Sequence, residues 1–104
     1  MKKYVIGRIE IRPGLRDAYM ELAKNYIAAC RSEPGFIYYE EGPNFEDPDK
    51  LIAIECWDSP EAHAAHTRSA HFAAFGPIFM QHVVHAHFEE MNVREVHDVV
   101  IDGA

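Results

Sequence analysis

The chain has 104 residues, of which 48% are hydrophobic and 26% are charged, and this composition predicts one globular domain, not a disordered or membrane-spanning protein. Its net charge of -7 at pH 7 argues against binding to nucleic acid or anionic lipid, because no basic stripe offsets the acidic residues. Cys30 and Cys56 form no CxxC motif, and the segment after Met1 is too short and too charged for a signal peptide, so we expect a cytoplasmic protein with free thiols.

The first half of the chain predicts a strand, a helix and then two strands. Residues 3–12 alternate between apolar and polar side chains, as expected for a strand with one buried face. Residues 15–30 carry apolar side chains at intervals of three and four, which predicts a helix that ends at the Glu-Pro-Gly segment after it. Two further strands are predicted at 36–41 and 51–58, joined by the turn-forming segment GPNFEDPDK.

The second half predicts two helical segments and a last strand. The sequence Ser-Pro-Glu at 59–61 is typical of a helix start, because serine caps free amides and proline suits the first turn. This helix carries two histidines. A further helical stretch begins near residue 70, and we expect Gly76-Pro77 to interrupt it. Residues 86–100 alternate again and predict the final strand.

This order of elements predicts an α+β sandwich of the ferredoxin-like kind, in which an antiparallel sheet carries helices on one face. The strands at 36–39 and 51–54 are apolar on both faces, although the helices can cover only one of them. A second copy of the chain is the simplest cover for the other face, so we predict a homodimer.

Three sequence motifs point to a known family. EPGF leads into the second strand, IECWDSPEA connects the third strand to the helix, and AHTRSAHFAAF continues through the histidine-bearing helices. With these motifs the chain resembles the antibiotic biosynthesis monooxygenase family, whose fold is the dimeric α+β barrel. The resemblance implies one such domain over residues 1–104. It also implies a range of activities: cofactor-free oxidation of phenols and quinols, isomerisation of a small phosphorylated dione, or haem breakdown.

Haem breakdown is disfavoured by three positions of this chain. Haem degraders that resemble it carry an Asn on the first strand, a Trp on the helix and a haem-ligating His further on. Gly7, His66 and Phe75 stand at these positions here. We therefore expect no haem, and the resemblance implies no other cofactor.

The resemblance places the candidate active site on the histidine-bearing helices. A neutral imidazole beside an apolar wall is suited to take a phenolic or enolic proton near pH 7, so His66 is the predicted catalytic residue, as base or anion stabiliser, and His71 is the second candidate. His63 is expected to face solvent. The predicted substrate-binding residues are Gly7, Tyr39, Trp57, Phe72, Phe75 and Phe79. The three phenylalanines, at near-helical spacing, equally suit a plain hydrophobic core.

Seven histidines also raise the question of a metal site. His63 with His66, and the segment HVVHAH at 82–87, have spacings suited to zinc, copper or nickel. No acidic or cysteine ligand stands beside either group, and the resemblance implies no metal, so we predict none.

The preferred function is therefore oxidation of a quinol or polycyclic phenol by O2 without a cofactor. An isomerase or detoxifying enzyme for a small reactive carbonyl compound is the second alternative, with Arg8 and Arg68 as anchors for a phosphorylated substrate. The third is a non-catalytic dimeric ligand-binding module. Gly7 favours this alternative, because it stands on the first strand in place of a polar residue that could take part in a reaction.

Overall fold

An antiparallel sheet with three helices on one of its faces forms the fold, in a computed structural model that describes residues 1–103. The elements are β1 (Lys2–Ile11), α1 (Arg16–Cys30), β2 (Phe36–Pro43), β3 (Lys50–Trp57), α2 (Pro60–His66), α3 (Ala70–His82) and β4 (Val83–Val93). The strands lie in the order β2-β3-β1-β4, which confirms the predicted ferredoxin-like α+β fold. Within the described residues, no helix has the length and apolar character needed to cross a bilayer.

The core lies between the inner face of the sheet and α1. Alternate residues of β1 and β3 point to this face, and Val5, Ile9 and Leu51 are fully buried there. α1 buries the face that its apolar spacing predicts, and the buried residues are Tyr19, Ala23, Tyr26, Ile27 and Cys30. Each large apolar side chain removed from water stabilises the fold by roughly 1.5–3 kcal/mol. Both cysteines are buried and free, as predicted.

Gly35 allows α2 to approach the start of β2. Its φ of +81° lies in the left-handed region, and a Cβ there would lie 2.5 Å from both Ala62 Cβ and Asp58 Oδ1. The Gly35 carbonyl accepts a hydrogen bond from the N–H of Asp58 at 2.8 Å. α2 then starts where predicted, with the Ser59 hydroxyl accepting from the N–H of Ala62 at 3.1 Å.

The predicted interruption at Gly76-Pro77 is wrong. α3 runs from Ala70 to His82 with Pro77 inside it. Proline inside a helix removes one N–H donor and typically costs about 3 kcal/mol. Phe75 and Phe79, on either side of Pro77, pack against the core, and these contacts hold the two halves of the helix in line.

β4 differs from the predicted strand at both ends. It begins at Val83, which pairs with Ile11, and it ends at Val93, which pairs with Lys2. β1 begins at Lys2, so the alternating sequence after Val93 has no neighbouring strand to pair with. Residues 94–103 therefore lie outside the sheet, although their pattern predicted a strand to about residue 100.

The outer face of the sheet is apolar and carries no helix, as predicted. Ile52 and Ile54 of β3 point away from the core and are 39% and 37% exposed. Ile6 of β1 pairs with Ile54 and lies on the same face. Two exposed isoleucines on β3 beside a partly buried one on β1 form an apolar patch that suits an interface.

The space beside Gly7 is filled by a neighbouring side chain. Gly7 pairs with Phe88 across β1 and β4, and a Cβ at residue 7 would lie 2.7 Å from Cε1 and 2.9 Å from Cδ1 of the Phe88 ring. An aromatic ring of this chain thus occupies the space that the missing side chain of Gly7, a predicted substrate-binding residue, leaves beside the backbone.

We expect Gly7→Ala to be less stable than Gly42→Ala by about 1–2 kcal/mol. The methyl group at residue 7 must displace the Phe88 ring, and overpacking of this kind is destabilising. A Cβ at Gly42, in β2, meets no atom within 4 Å. Urea denaturation of both variants measures their free energies of unfolding, and equal values would show that the ring moves at no cost.

Candidate functional site

A cavity of about 330 Å³ lies between the inner face of the sheet and the helices α2 and α3. Its apolar wall is formed by Ile9, Phe72, Phe75, Gly76, Phe79, Met80 and Phe88. Its polar groups belong to Tyr19, Tyr26, Tyr39, Glu55, His63 and His66. A mostly apolar cavity with a few converging polar groups is the usual form of a small-molecule site.

His66 is held in one orientation by three neighbours. It ends α2, is 1% exposed, and its ring lies against the indole of Trp57 with centroids 4.6 Å apart. Its Nδ1 lies 2.7 Å from Glu33 Oε2, and its Nε2 lies 3.1 Å from the hydroxyl of Tyr26. Both ring nitrogens therefore have partners, as expected for a buried imidazole.

Glu33 sets the position of the proton on this imidazole. Its Oε2 also accepts a hydrogen bond from His71 Nε2 at 2.8 Å. Burial opposes ionisation, but the hydrogen bonds from the two imidazoles lower the pKa of Glu33 below its usual value. Burial also lowers the pKa of His66. A neutral His66 then donates from Nδ1 to the carboxylate and presents its Nε2 lone pair to the O–H of Tyr26.

Glu55 brings a carboxyl group to the same cavity. It lies on β3, is 7% exposed, and its Oε1 accepts a hydrogen bond from Trp57 Nε1 at 3.0 Å. The same oxygen lies 3.8 Å from His66 Nε2. Burial raises the pKa of Glu55 to about 7. A carboxyl group that titrates near neutral pH is suited to exchange a proton with a bound molecule.

Tyr26 joins these polar groups to the aromatic wall. Its ring stacks on Phe75, with centroids 4.3 Å apart and planes 12° apart, and meets Tyr39 edge-on at 6.0 Å. Burial raises the pKa of Tyr26 above its usual range, so its hydroxyl stays protonated. The cavity therefore offers flat apolar surfaces next to hydrogen-bonding groups, a combination that suits an aromatic guest.

The family of the chain follows from its sequence. The profile of the antibiotic biosynthesis monooxygenase family matches residues 4–77, which is well over half of the chain. The chain belongs to this family. The three motifs noted in the sequence all fall within the matched region, which also includes most of β1, all of α1 and the cavity side chains up to Gly76.

Solved structures similar to this antibiotic biosynthesis monooxygenase family member share its fold. A protein from Mycobacterium tuberculosis has a TM-score of 0.85 at 20% identity, covering 94% of this chain and 100% of that chain. A candidate antibiotic biosynthesis monooxygenase from Nitrosomonas europaea has a TM-score of 0.84 at 15% identity, covering 89% of this chain and 90% of that chain. At such identities the likeness concerns the fold, not the activity.

A curated relative comes from Synechocystis. It is 27% identical over 71 residues, which are 68% of this chain and 48% of the relative. The chain thus spans about half the length of the curated relative that it matches.

Most of the predicted site residues of this antibiotic biosynthesis monooxygenase family member meet at the cavity. Those that line it are Tyr39, His66, Phe72, Phe75 and Phe79. His71 is joined to His66 through Glu33. Trp57 is fully buried behind His66, where it supports the imidazole and Glu55 and does not form the wall. Gly7 lies under a side chain that lines the cavity, but not in its wall.

Two side chains lie elsewhere than expected. The predicted solvent exposure of His63 is wrong: its side chain is 13% exposed and lines the cavity, because α2 turns this face toward the sheet. Arg8, a predicted anchor for a phosphorylated substrate, lies on the outer face of β1 and pairs with Glu89 at 2.8 Å. It therefore cannot reach a guest in the cavity.

Sequence reasoning missed Tyr26, Glu33 and Glu55 as parts of the site. Glu55 carried a usable signal, because it occupies an inward position of β3 between two apolar inward positions, Ala53 and Trp57. Tyr26 was identified only as part of the buried face of α1. Glu33 precedes a Pro-Gly turn, and nothing in its local sequence indicates a contact with two histidines more than 30 residues away.

A second groove, of about 580 Å³, lies between α1 and the edge strand β2. Glu41 of β2 lines it, and its Oε2 is buried without a hydrogen-bond partner among residues 1–103. Burial and the nearby charge of Glu55 raise the pKa of Glu41 to about 7.

Glu41 should make the fold less stable as the pH rises. Its pKa is higher in the folded than in the unfolded chain, so the folded state loses stability from about pH 4.5, the ordinary value, up to about pH 7. We expect Glu41→Gln to gain on the order of 2 kcal/mol over wild type between pH 5 and pH 8. Urea denaturation at both pH values measures this gain. The exposed neighbour variant Glu40→Gln is the control, and an equal gain there would contradict the assignment.

Proposed function

We propose that this family member is a cytoplasmic, homodimeric monooxygenase that oxidises a quinol or polycyclic phenol with O2 and without a cofactor. Family membership supports the reaction class, and the free thiols support the location. One observation carries the proposal: at an aromatic-lined cavity, His66 Nδ1 is bound to a carboxylate, which leaves the Nε2 lone pair to accept a proton.

The proposed reaction begins with transfer of the phenolic proton. His66 Nε2 accepts it, directly or through the hydroxyl of Tyr26, and Glu33 stabilises the imidazolium that forms. The phenolate passes one electron to O2, and the aryloxyl radical and superoxide combine into a peroxide. The imidazolium returns its proton to the peroxide, and the O–O bond then breaks as Glu55, with a pKa of about 7, protonates the departing oxygen to water. The ring carbon that carried the peroxide loses its hydrogen as a proton, which restores Glu55, and the product is a quinone. One oxygen atom stays in the product and the substrate supplies all four electrons, so no external reductant is needed.

The cavity restricts the class of substrate. Its volume of about 330 Å³ is at the lower end of the range for small-molecule sites, so a small fused-ring phenol fits better than a bulky one. Its walls are mostly aromatic and apolar, so a bound aromatic ring that covers them would displace water from the place where the anion and the radical pair form. The isomerase alternative gains nothing from the position of Arg8, which faces away from the cavity.

We also propose that two copies pack their outer sheet faces together. Ile52 and Ile54 leave a row of apolar side chains exposed on the middle of this face, with Ile6 beside them. A self-complementary apolar face of this kind fits a two-fold interface. The cavity opens on the opposite side of the sheet, so pairing leaves room for a guest in each subunit.

His66→Ala should lower the rate of O2 consumption by about 100-fold or more, because a positioned general base typically contributes 10²–10⁴ to a rate. An oxygen electrode and a panel of hydroquinones and naphthols measure this rate with metal-stripped protein. Tyr26→Phe keeps the ring stack and removes only the hydroxyl, so it tests the relay. His97→Ala, an exposed histidine outside the sheet and helices, is the control.

Three outcomes separate the alternatives. If wild type consumes no O2 above the buffer rate with any phenol, the oxygenase proposal fails. Calorimetric binding of phenols without turnover would support the non-catalytic module instead. A rate in His66→Ala equal to that of wild type would overturn the role of the imidazole and leave the reaction class standing.

Ile54→Glu should convert the dimer to a monomer, because a carboxylate at the centre of an apolar interface loses its hydration without a partner. Sedimentation velocity should give wild type twice the chain mass of 11.9 kDa and the variant the single mass. Phe45→Glu changes a fully exposed residue of the β2–β3 loop and should stay dimeric. A monomeric wild type at micromolar concentration would contradict the interface.

A further inference from the structure

We propose that Cys30, Glu33, His66 and His71 form a binding site for a divalent transition metal ion of the zinc class. Each of the four side chains offers one ligand atom, and these atoms all lie within 4.8 Å of one another. They come from three parts of the chain, the end of α1, the end of α2 and the first turn of α3. The set is scattered over 42 positions, so it has no local motif of the kind that His63 with His66 or the 82–87 segment offers.

The spacing of the ligand atoms suits four-coordinate geometry. Metal–ligand distances of about 2.0–2.3 Å place the corners of a tetrahedron about 3.3–3.8 Å apart. Glu33 Oε2 now lies 2.7 Å from His66 Nδ1 and 2.8 Å from His71 Nε2. An ion would therefore replace the two shared protons and move the three groups apart by about 1 Å, a shift within the reach of side-chain rotation.

The charges of the four groups also fit a divalent cation. A thiolate and a carboxylate balance two positive charges, and two neutral imidazoles complete the set, so the loaded site would carry no net charge in a buried place. Without an ion, burial and the charge of Glu33 raise the pKa of the Cys30 thiol to about 12. A bound cation reverses this effect and makes the thiolate the stable form.

The groups around His66 match those expected around a metal-bound histidine. Such a histidine donates its other ring N–H to an oxygen atom, which fixes the ring. If Nδ1 binds the ion, Nε2 carries the proton, and the Tyr26 hydroxyl at 3.1 Å can accept it, with Glu55 Oε1 further away at 3.8 Å. Access from solvent is available at His71, whose side chain is 27% exposed.

Metal binding and the proposed oxidation should exclude each other. An ion on Nδ1 of His66 places a proton on Nε2, which then has no lone pair for a phenol. The metal would thus act as an inhibitor of the proposed activity and not as its cofactor. The site itself does not depend on that activity, since binding is measured without any substrate.

Cobalt is the probe that tests the site directly. The full chain, free of tags and treated with a chelator, is titrated with Co²⁺ under reducing conditions. We expect one ion per chain, the strong visible bands of four-coordinate cobalt and a near-ultraviolet thiolate-to-metal band, with Zn²⁺ displacing the cobalt. Cys30→Ser should lose the thiolate band, and His71→Ala should weaken binding at least tenfold.

Matched controls keep the result interpretable. Cys56→Ser changes the other buried cysteine, on β3, and His85→Ala changes a histidine of the 82–87 segment, so both should bind cobalt as wild type does. Circular dichroism establishes that each variant is folded. The proposal is overturned if folded wild type shows no spectral change with one equivalent of Co²⁺, if Cys30→Ser keeps the thiolate band, or if His71→Ala binds normally. Glu33 would then serve only as a hydrogen-bond acceptor for the two imidazoles.

Discussion

A single carboxylate oxygen, Oε2 of Glu33, holds the site together. It accepts hydrogen bonds from His66 and His71, which lie 33 and 38 residues further along the chain. Because Glu33 follows the end of α1, this contact joins three helices at one point above the sheet. A buried carboxylate without such donors would cost several kcal/mol, so the imidazoles are structural partners of Glu33 as much as chemical groups of the cavity.

The site occupies part of the core of a small domain. A chain of 104 residues buries a limited apolar area, and here the inner sheet face carries Glu55 as well as aliphatic residues. The pKa of that carboxyl group, about 7, shows the free-energy cost of keeping it away from water. Trp57 reduces the cost by donating a hydrogen bond, and its ring also supports His66. Stability and chemistry therefore share the same side chains.

Local patterns predicted the type and order of the elements because each was a regular alternation or a helical repeat. They failed where a tertiary contact decided the outcome. α3 continues past Pro77 because the residues on both sides of the proline pack against the core, and β4 ends at Val93 because its partner strand β1 begins at Lys2. The motif around His66 predicted one end of the site. The two residues that bind His66, Glu33 and Tyr26, could not be predicted, because their contacts join segments that are far apart in the sequence. Glu55 could have been predicted in part, because the alternation of β3 shows that this acidic residue points toward the core.

The ring of Phe88 lies over Gly7, so the effects of substitutions at these two positions depend on each other. A larger residue at position 7 fits better when the residue at position 88 is smaller, and a smaller residue at position 88 alone leaves a hole beside Gly7. Variant libraries intended to reshape this part of the pocket should therefore vary positions 7 and 88 together.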